Sequence, residues 1–108
     1  MTLADYEVFW TRTARQDLEK ILEHIAADSQ IRARRVYLDI KEKAAGLRLF
    51  PLQGRIVPEL RYYGIALYRE LICAPWRIMY KTEENRVWVL AVIDGRRNSE
   101  DILLDRFI

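Results

Sequence analysis

Apolar and polar positions alternate with two different periods along the chain. In the first half the period is helical: Ala14, Leu18, Ile21, Leu22 and Ile25 recur on one face while Arg15, Asp17, Glu19, Lys20 and Glu23 take the other. Thr13 and Gln16 have capping-box spacing, which predicts that this helix starts there. Asp28-Ser29-Gln30 interrupts the pattern with residues suited to caps, and a second helical run follows through Ala33, Val36, Tyr37, Ile40, Ala44 and Leu47. Two helices parted by so short a break predict an antiparallel hairpin with one shared apolar seam. Ahead of them, Tyr6 to Trp10 (YEVFW) is rich in β-branched and aromatic residues and predicts a short first strand.

In the second half the period falls to two. Pro51, Gly54 and Pro58 punctuate PLQGRIVPEL, which predicts a loop between helices and sheet. Three strands are then expected, at Ala66 to Cys73 (ALYRELIC), Trp76 to Thr82 (WRIMYKT) and Arg86 to Ile93 (RVWVLAVI). Ala74-Pro75 and Glu83-Glu84-Asn85 join them at hairpin length. Trp76, Ile78 and Tyr80 alternate with Arg77, Met79 and Lys81, so one face of the middle strand reads as apolar and the other as charged. The last strand is apolar on both faces and belongs in the interior of a sheet. The resulting β-α-α-β-β-β order predicts an α+β fold, with the helical hairpin packed on one face of a mainly antiparallel four-stranded sheet.

A chain of 108 residues is long enough for one core, so residues 1–108 form one domain. Eighteen basic residues against 16 acidic ones give a net charge of +2, so a nucleic-acid role would require local clustering of the positives. The single cysteine, Cys73, lies in an apolar run and the single histidine, His24, in a helical pattern. One Cys and one distant His make neither an internal disulfide nor a thiol-protease or metal constellation. Cys73 therefore reads as a core residue and His24 as a helix-surface residue. No glycine-rich phosphate loop, paired-carboxylate arrangement or zinc spacing is present, and the sequence calls for no cofactor and no metal. The opening MTLADYEVFW carries acids and no basic leader region, and no apolar run reaches membrane-spanning length. The expectation is a cytoplasmic protein with no membrane partner.

Four segments, taken in order, carry a resemblance that none of them carries alone: RQDLEKILEHIA in the first helix, FPLQGRIVPEL in the loop, YRELICAPWRIMYKT across the first hairpin and VLAVIDGRRN at the end. Over nearly its whole length the chain resembles the RelE/ParE superfamily of toxins from type II toxin-antitoxin systems. The loop bearing Pro51, Gly54 and Pro58, followed by Arg69-Glu70-Leu71, looks more like the ParE branch. The resemblance implies a toxin that acts by binding, with DNA gyrase as target and a ParD-like antitoxin as partner in a hetero-oligomer. The antitoxin would wrap an extended or helical segment along the toxin surface.

RelE-like relatives are instead ribosome-dependent endoribonucleases. That chemistry needs groups to deprotonate a 2′-hydroxyl, stabilise the crowded phosphate and protonate the leaving oxygen. Arg77 aligns with a strand arginine that those nucleases use on the phosphate, although ParE-like toxins often carry it too. The two nuclease lysines of the preceding strand fall at Tyr68 and Glu70, and Ile102 or Leu103 stands near the expected C-terminal tyrosine. No catalytic residue is therefore expected. Should the chain be an mRNA endoribonuclease after all, Glu70, Arg77 and Tyr80 are the residues to carry it. A third reading is a module of this fold that has lost toxicity.

For contact with a target the candidates are Arg69, Arg77, Arg96 and Arg97, since guanidinium forks suit bidentate contact with carboxylate or phosphate. Gly95 is read as the point where the chain turns sharply and sets Arg96 and Arg97 at the sheet edge. The sequence leaves open whether these arginines instead pair with Glu59, Glu70, Asp94 or Glu100 as surface ion pairs. Direct nucleic-acid binding stays open too. Arg32, Arg34 and Arg35 in the second helix have acids close by and read as a solvated face. Trp10, Trp76, Tyr80 and Trp88 read as core aromatics.

Overall fold

The computed structural model describes residues 5–108. Met1 to Ala4, part of the opening stretch read for a leader, lie outside the described residues. The fold is α+β, and the sheet has five strands rather than four, in the order β1-β5-β4-β3-β2. Strand β1 (Glu7–Trp10) lies parallel to β5 (Arg86–Asp94). Antiparallel pairing joins β5 to β4 (Trp76–Glu83), β4 to β3 (Arg69–Cys73) and β3 to the two-residue β2 (Arg55–Ile56). The last long strand is interior, as its two apolar faces require.

Helices α1 (Arg12–Ala26) and α2 (Gln30–Ala45) form the expected hairpin, and a 3-10 turn, Gly46–Arg48, extends α2. The start of α1 is a correction: Thr11, not Thr13, is the cap. Thr11 accepts from the Ala14 N–H at 3.1 Å through Oγ1, while its own N–H donates to Val89 O at 3.0 Å. One residue thus closes the strand ladder and opens the helix, so tertiary pairing places the cap where the local Thr13/Gln16 pattern did not. Ser29 caps α2 by accepting from the Arg32 N–H at 3.1 Å.

The hairpin buries Leu18, Ile25, Ile40 and Leu47 against Leu71, Ile78, Tyr80, Val87, Val89 and Val92 of the sheet. The opposite face of the sheet is covered in part as well. There Met79, Ala91 and Ile93 pack with Val57, Leu60 and Leu103, all 4 % exposed or less. The covering pieces are two elements that the period did not reveal: a single helical turn, α3 (Pro58–Arg61), inside the proline-rich loop, and a C-terminal helix, α4 (Ser99–Phe107). Full burial of a side chain such as Leu103 contributes about 1.5–3 kcal/mol, which binds α4 to the sheet.

A bulge in β5 explains the unbroken apolar run. Met79 pairs with Ala91 and Tyr80 with Val89, so Leu90 has no partner on β4. The extra residue reverses the parity of the strand. Val87 and Val89 before it, and Val92 after it, face the helical hairpin, while Ala91 and Ile93 face α3 and α4.

Candidate functional site

Arg77 stands on the β4 face covered by α3 and α4, and it is 8 % exposed. Its Nη1 donates to Glu59 Oε2 at 2.6 Å and its Nη2 to Glu59 Oε1 at 2.8 Å. Nε and Nη2 also donate to the two carboxylate oxygens of Glu70, the latter at 2.8 Å. Glu70 is 1 % exposed and accepts from Arg55 Nε at 2.9 Å as well. Four residues from β2, α3, β3 and β4 thus form one ion network. The hydrogen bond from Arg77 holds the Glu59 carboxyl below the usual carboxylate range, and the bond from Glu59 raises the Arg77 guanidinium further above its already high value. Burying such charges is tolerable only because each has a hydrogen-bonded partner.

Tyr80 lies on the opposite face of the same strand, fully buried, and its hydroxyl accepts from the Gly54 N–H at 3.0 Å. Burial pushes its phenol pKa up. Glu70 and Arg77 therefore touch, while Tyr80 is separated from them by the sheet. Arg69 Nη1 donates to the carbonyl oxygens of Gly54 at 2.8 Å and Leu52 at 3.4 Å, tying the proline-rich loop to β3.

The second constellation is the corner after β5. Asp94 accepts from Arg96 Nε at 3.0 Å, from its Nη2 at 2.9 Å and from its backbone N–H at 2.9 Å. These bonds hold the Asp94 carboxyl below its usual range, with the side-chain bond the largest cause. The Arg96 guanidinium lies 5.7 Å from the centre of the Trp76 ring, within reach of a cation–π contact. Arg97 is exposed. Gly95 sits at close quarters here: a Cβ would stand 3.0 Å from Pro75 O and 3.3 Å from the Arg77 stem. Among the described residues only Gly64 is a glycine with positive φ, so the expected sharp glycine turn at residue 95 takes another form.

Beside this corner a groove of about 490 Å³ opens between α1, the end of β5 and α4. Arg106 of α4 bridges it by donating to Asp17 of α1 at 2.7 and 2.9 Å, and Asp17 also accepts from the Val92 N–H at 3.1 Å. Asp17, Lys20 and Arg106 were not among the candidates from sequence. Nothing in their local pattern marks them, because α1 and α4 are separated by most of the chain and meet only through the fold.

Of the aromatics, Trp76 and Tyr80 are buried, whereas Trp10 and Trp88 are only partly so. Trp88 stacks on Phe9 at 4.9 Å. Cys73 is half-buried against the hairpin core with its thiol pKa raised by burial, and His24 is exposed. Arg32, Arg34 and Arg35 are exposed on α2. Among the described residues no group of three or more His, Cys, Asp or Glu is placed to hold a metal ion, and no helix is long and apolar enough to cross a membrane.

The model of the ParE toxin of the parDE type II toxin-antitoxin system matches residues 8–99. No curated protein matches. Among solved structures, a chain of the chromosomal ParDE system from P. aeruginosa superposes with a TM-score of 0.69 at 21% identity, covering 84% of this chain and 97% of that one. A chain of the toxin-antitoxin complex RelBE2 from Mycobacterium tuberculosis superposes with a TM-score of 0.59 at 26% identity, covering 86% and 94%.

Proposed function

We infer the function from the premise that this chain belongs to the ParE toxin family and is the toxin of a type II toxin-antitoxin system. The reading we propose is that it inhibits DNA gyrase by binding, without hydrolytic chemistry of its own, and that a cognate ParD-like antitoxin neutralises it in a hetero-oligomer. Gyrase as target would place the action in the cytoplasm.

The observation that supports this reading is the state of Arg77. Ribonuclease chemistry of the RelE kind needs a cation free to meet the phosphate and groups free to move protons. Here the Arg77 guanidinium is occupied by Glu59 and Glu70, and Glu70 is itself buried and paired. The Tyr80 hydroxyl is buried on the other face. The three residues do not compose an exposed acid–base site.

Target contact is assigned to Arg96 and Arg97, which are exposed at the corner after β5. Arg77 and Arg69 act through the frame, by fixing α3 and the proline-rich loop to the sheet. The antitoxin is proposed because the two solved structures described above come from toxin-antitoxin systems. A partner segment that folds on binding suits that role.

The test is a supercoiling assay with purified gyrase, ATP and relaxed plasmid, titrated with the isolated toxin and checked for cleaved DNA after detergent. Inhibition with accumulated cleaved complexes is expected. Gyrase unaffected at large toxin excess, with ribosome-bound mRNA cut instead, would overturn the reading.

A further inference from the structure

We propose that the groove between α1, the end of β5 and α4 docks an acidic polypeptide segment carrying one apolar anchor side chain. The inference rests on the reading of the chain as a toxin that works, and is neutralised, through protein contact. It adds the chemistry of the partner and the place where it binds.

The apolar part of the lining is Ile21, Trp76, Val92, Ile93 and Ile102, with Trp76, Val92 and Ile93 buried. At about 490 Å³ the space falls within the range of pockets that enclose a compact apolar group. The rim is cationic. Lys20, Arg96, Arg97 and Arg106 stand around it against the carboxylates of Asp17 and Asp94, an excess of two positive charges, with His24 alongside. Asp94 pairs with Arg96 and Asp17 with Arg106, so these two guanidiniums are held in place before any partner arrives. Lys20 and Arg97 make no ion pair with a described residue.

This arrangement favours a polypeptide over a nucleic acid, because a phosphate backbone would use the cations but leave the apolar lining unserved. A segment whose glutamates or aspartates reach Lys20 and Arg97, with a Leu or Phe between them, satisfies lining and rim together.

The experiment measures fluorescence anisotropy with the full chain and a labelled synthetic peptide of glutamates around a central Phe. Comparison ligands are the same peptide with Lys for every Glu, the same peptide with Ser for Phe, and oligothymidylate. The acidic Phe peptide is expected to bind, to weaken with added salt, and to lose roughly tenfold in affinity or more with Lys20→Glu plus Arg97→Glu. Both residues are exposed, and circular dichroism checks that the variant is folded. Arg34→Glu plus Arg35→Glu, the same change of charge on α2, should bind like the parent.

Equal binding of the lysine peptide, or indifference to the Lys20/Arg97 reversal, would overturn the proposal. So would binding of oligothymidylate in preference to the acidic peptide, which would make the groove a nucleic-acid site. Gyrase is absent from this measurement. A toxin that binds the peptide but spares gyrase refutes the target and keeps the groove; one that poisons gyrase but ignores the peptide does the reverse.

Discussion

Gly54 and Tyr80 are packed so closely that a methyl group at position 54 has nowhere to go: a Cβ would stand 2.7 Å from the Tyr80 hydroxyl and 2.5 Å from the backbone oxygen of Glu70. The contact joins the proline-rich loop to the centre of the sheet, since the Gly54 N–H donates to that hydroxyl. Gly54→Ala is expected to destabilise the fold by about 3 kcal/mol through overpacking against backbone. Tyr80→Phe leaves the buried N–H without its acceptor and should cost about 1–3 kcal/mol. Urea unfolding midpoints check both. A Tyr80→Phe protein as stable as the parent would remove the structural role assigned to the hydroxyl.

Arg77 serves two carboxylates, and one of them, Glu70, is almost wholly buried. Arg77→Ala should therefore cost about 3–5 kcal/mol, because it strands a buried charge that Arg55 alone must then neutralise. Arg77→Lys should recover part of the loss, as a point charge cannot reproduce a fork shared between Glu59 and Glu70. Chemical denaturation of the two variants gives the order. If Arg77→Ala unfolds at the parent's midpoint while toxicity is lost, the arginine is a contact residue and the network is incidental to the fold.

The same network sets a pH dependence. Glu59 in the folded protein titrates below its usual range because Arg77 bonds to it. It therefore contributes stability that is full above the unfolded carboxylate range and is lost as the pH falls through the folded value. Between neutral pH and about pH 3 the thermal midpoint should fall, with the loss starting below about pH 4.5. Glu59→Gln should flatten that slope and lower the midpoint at neutral pH. A parent protein equally stable at acid and neutral pH would contradict the linkage.

The hairpin, the three long strands and their order could be read from the sequence because each is amphipathic by itself: Leu18, Ile25 and Ile40 announce their face through spacing alone. Elements whose apolar residues lack a clean period could not be. The pair Arg55–Ile56 is too short to show alternation, and SEDILLDRF becomes α4 because Leu103 finds the second face of the sheet, with no side-chain cap to mark its start. Position explains the site residues in the same way. Arg96 and Arg97 stood out beside a turn, whereas the burial of Arg77 depends on α3 and α4 covering the face of β4 that its alternation marked as charged. The groove joins Lys20 to Arg97 across a sequence distance that no local pattern spans.

Arg96 and Arg97 carry the target contact in the function proposed here, and neither has a place in either core. Arg96→Ala with Arg97→Ala should leave the thermal midpoint near that of the parent, since an exposed ion pair such as Arg96–Asp94 contributes little. The same change should relieve growth arrest on expression and raise the toxin concentration needed to inhibit gyrase by roughly tenfold or more, as expected when exposed recognition charges are removed. Arg96→Lys with Arg97→Lys should restore part of the effect if charge alone matters, and little if the fork geometry is read. A double alanine variant that is folded and as toxic as the parent would move target contact away from this corner, while one that fails to fold would show the two arginines to be part of the frame.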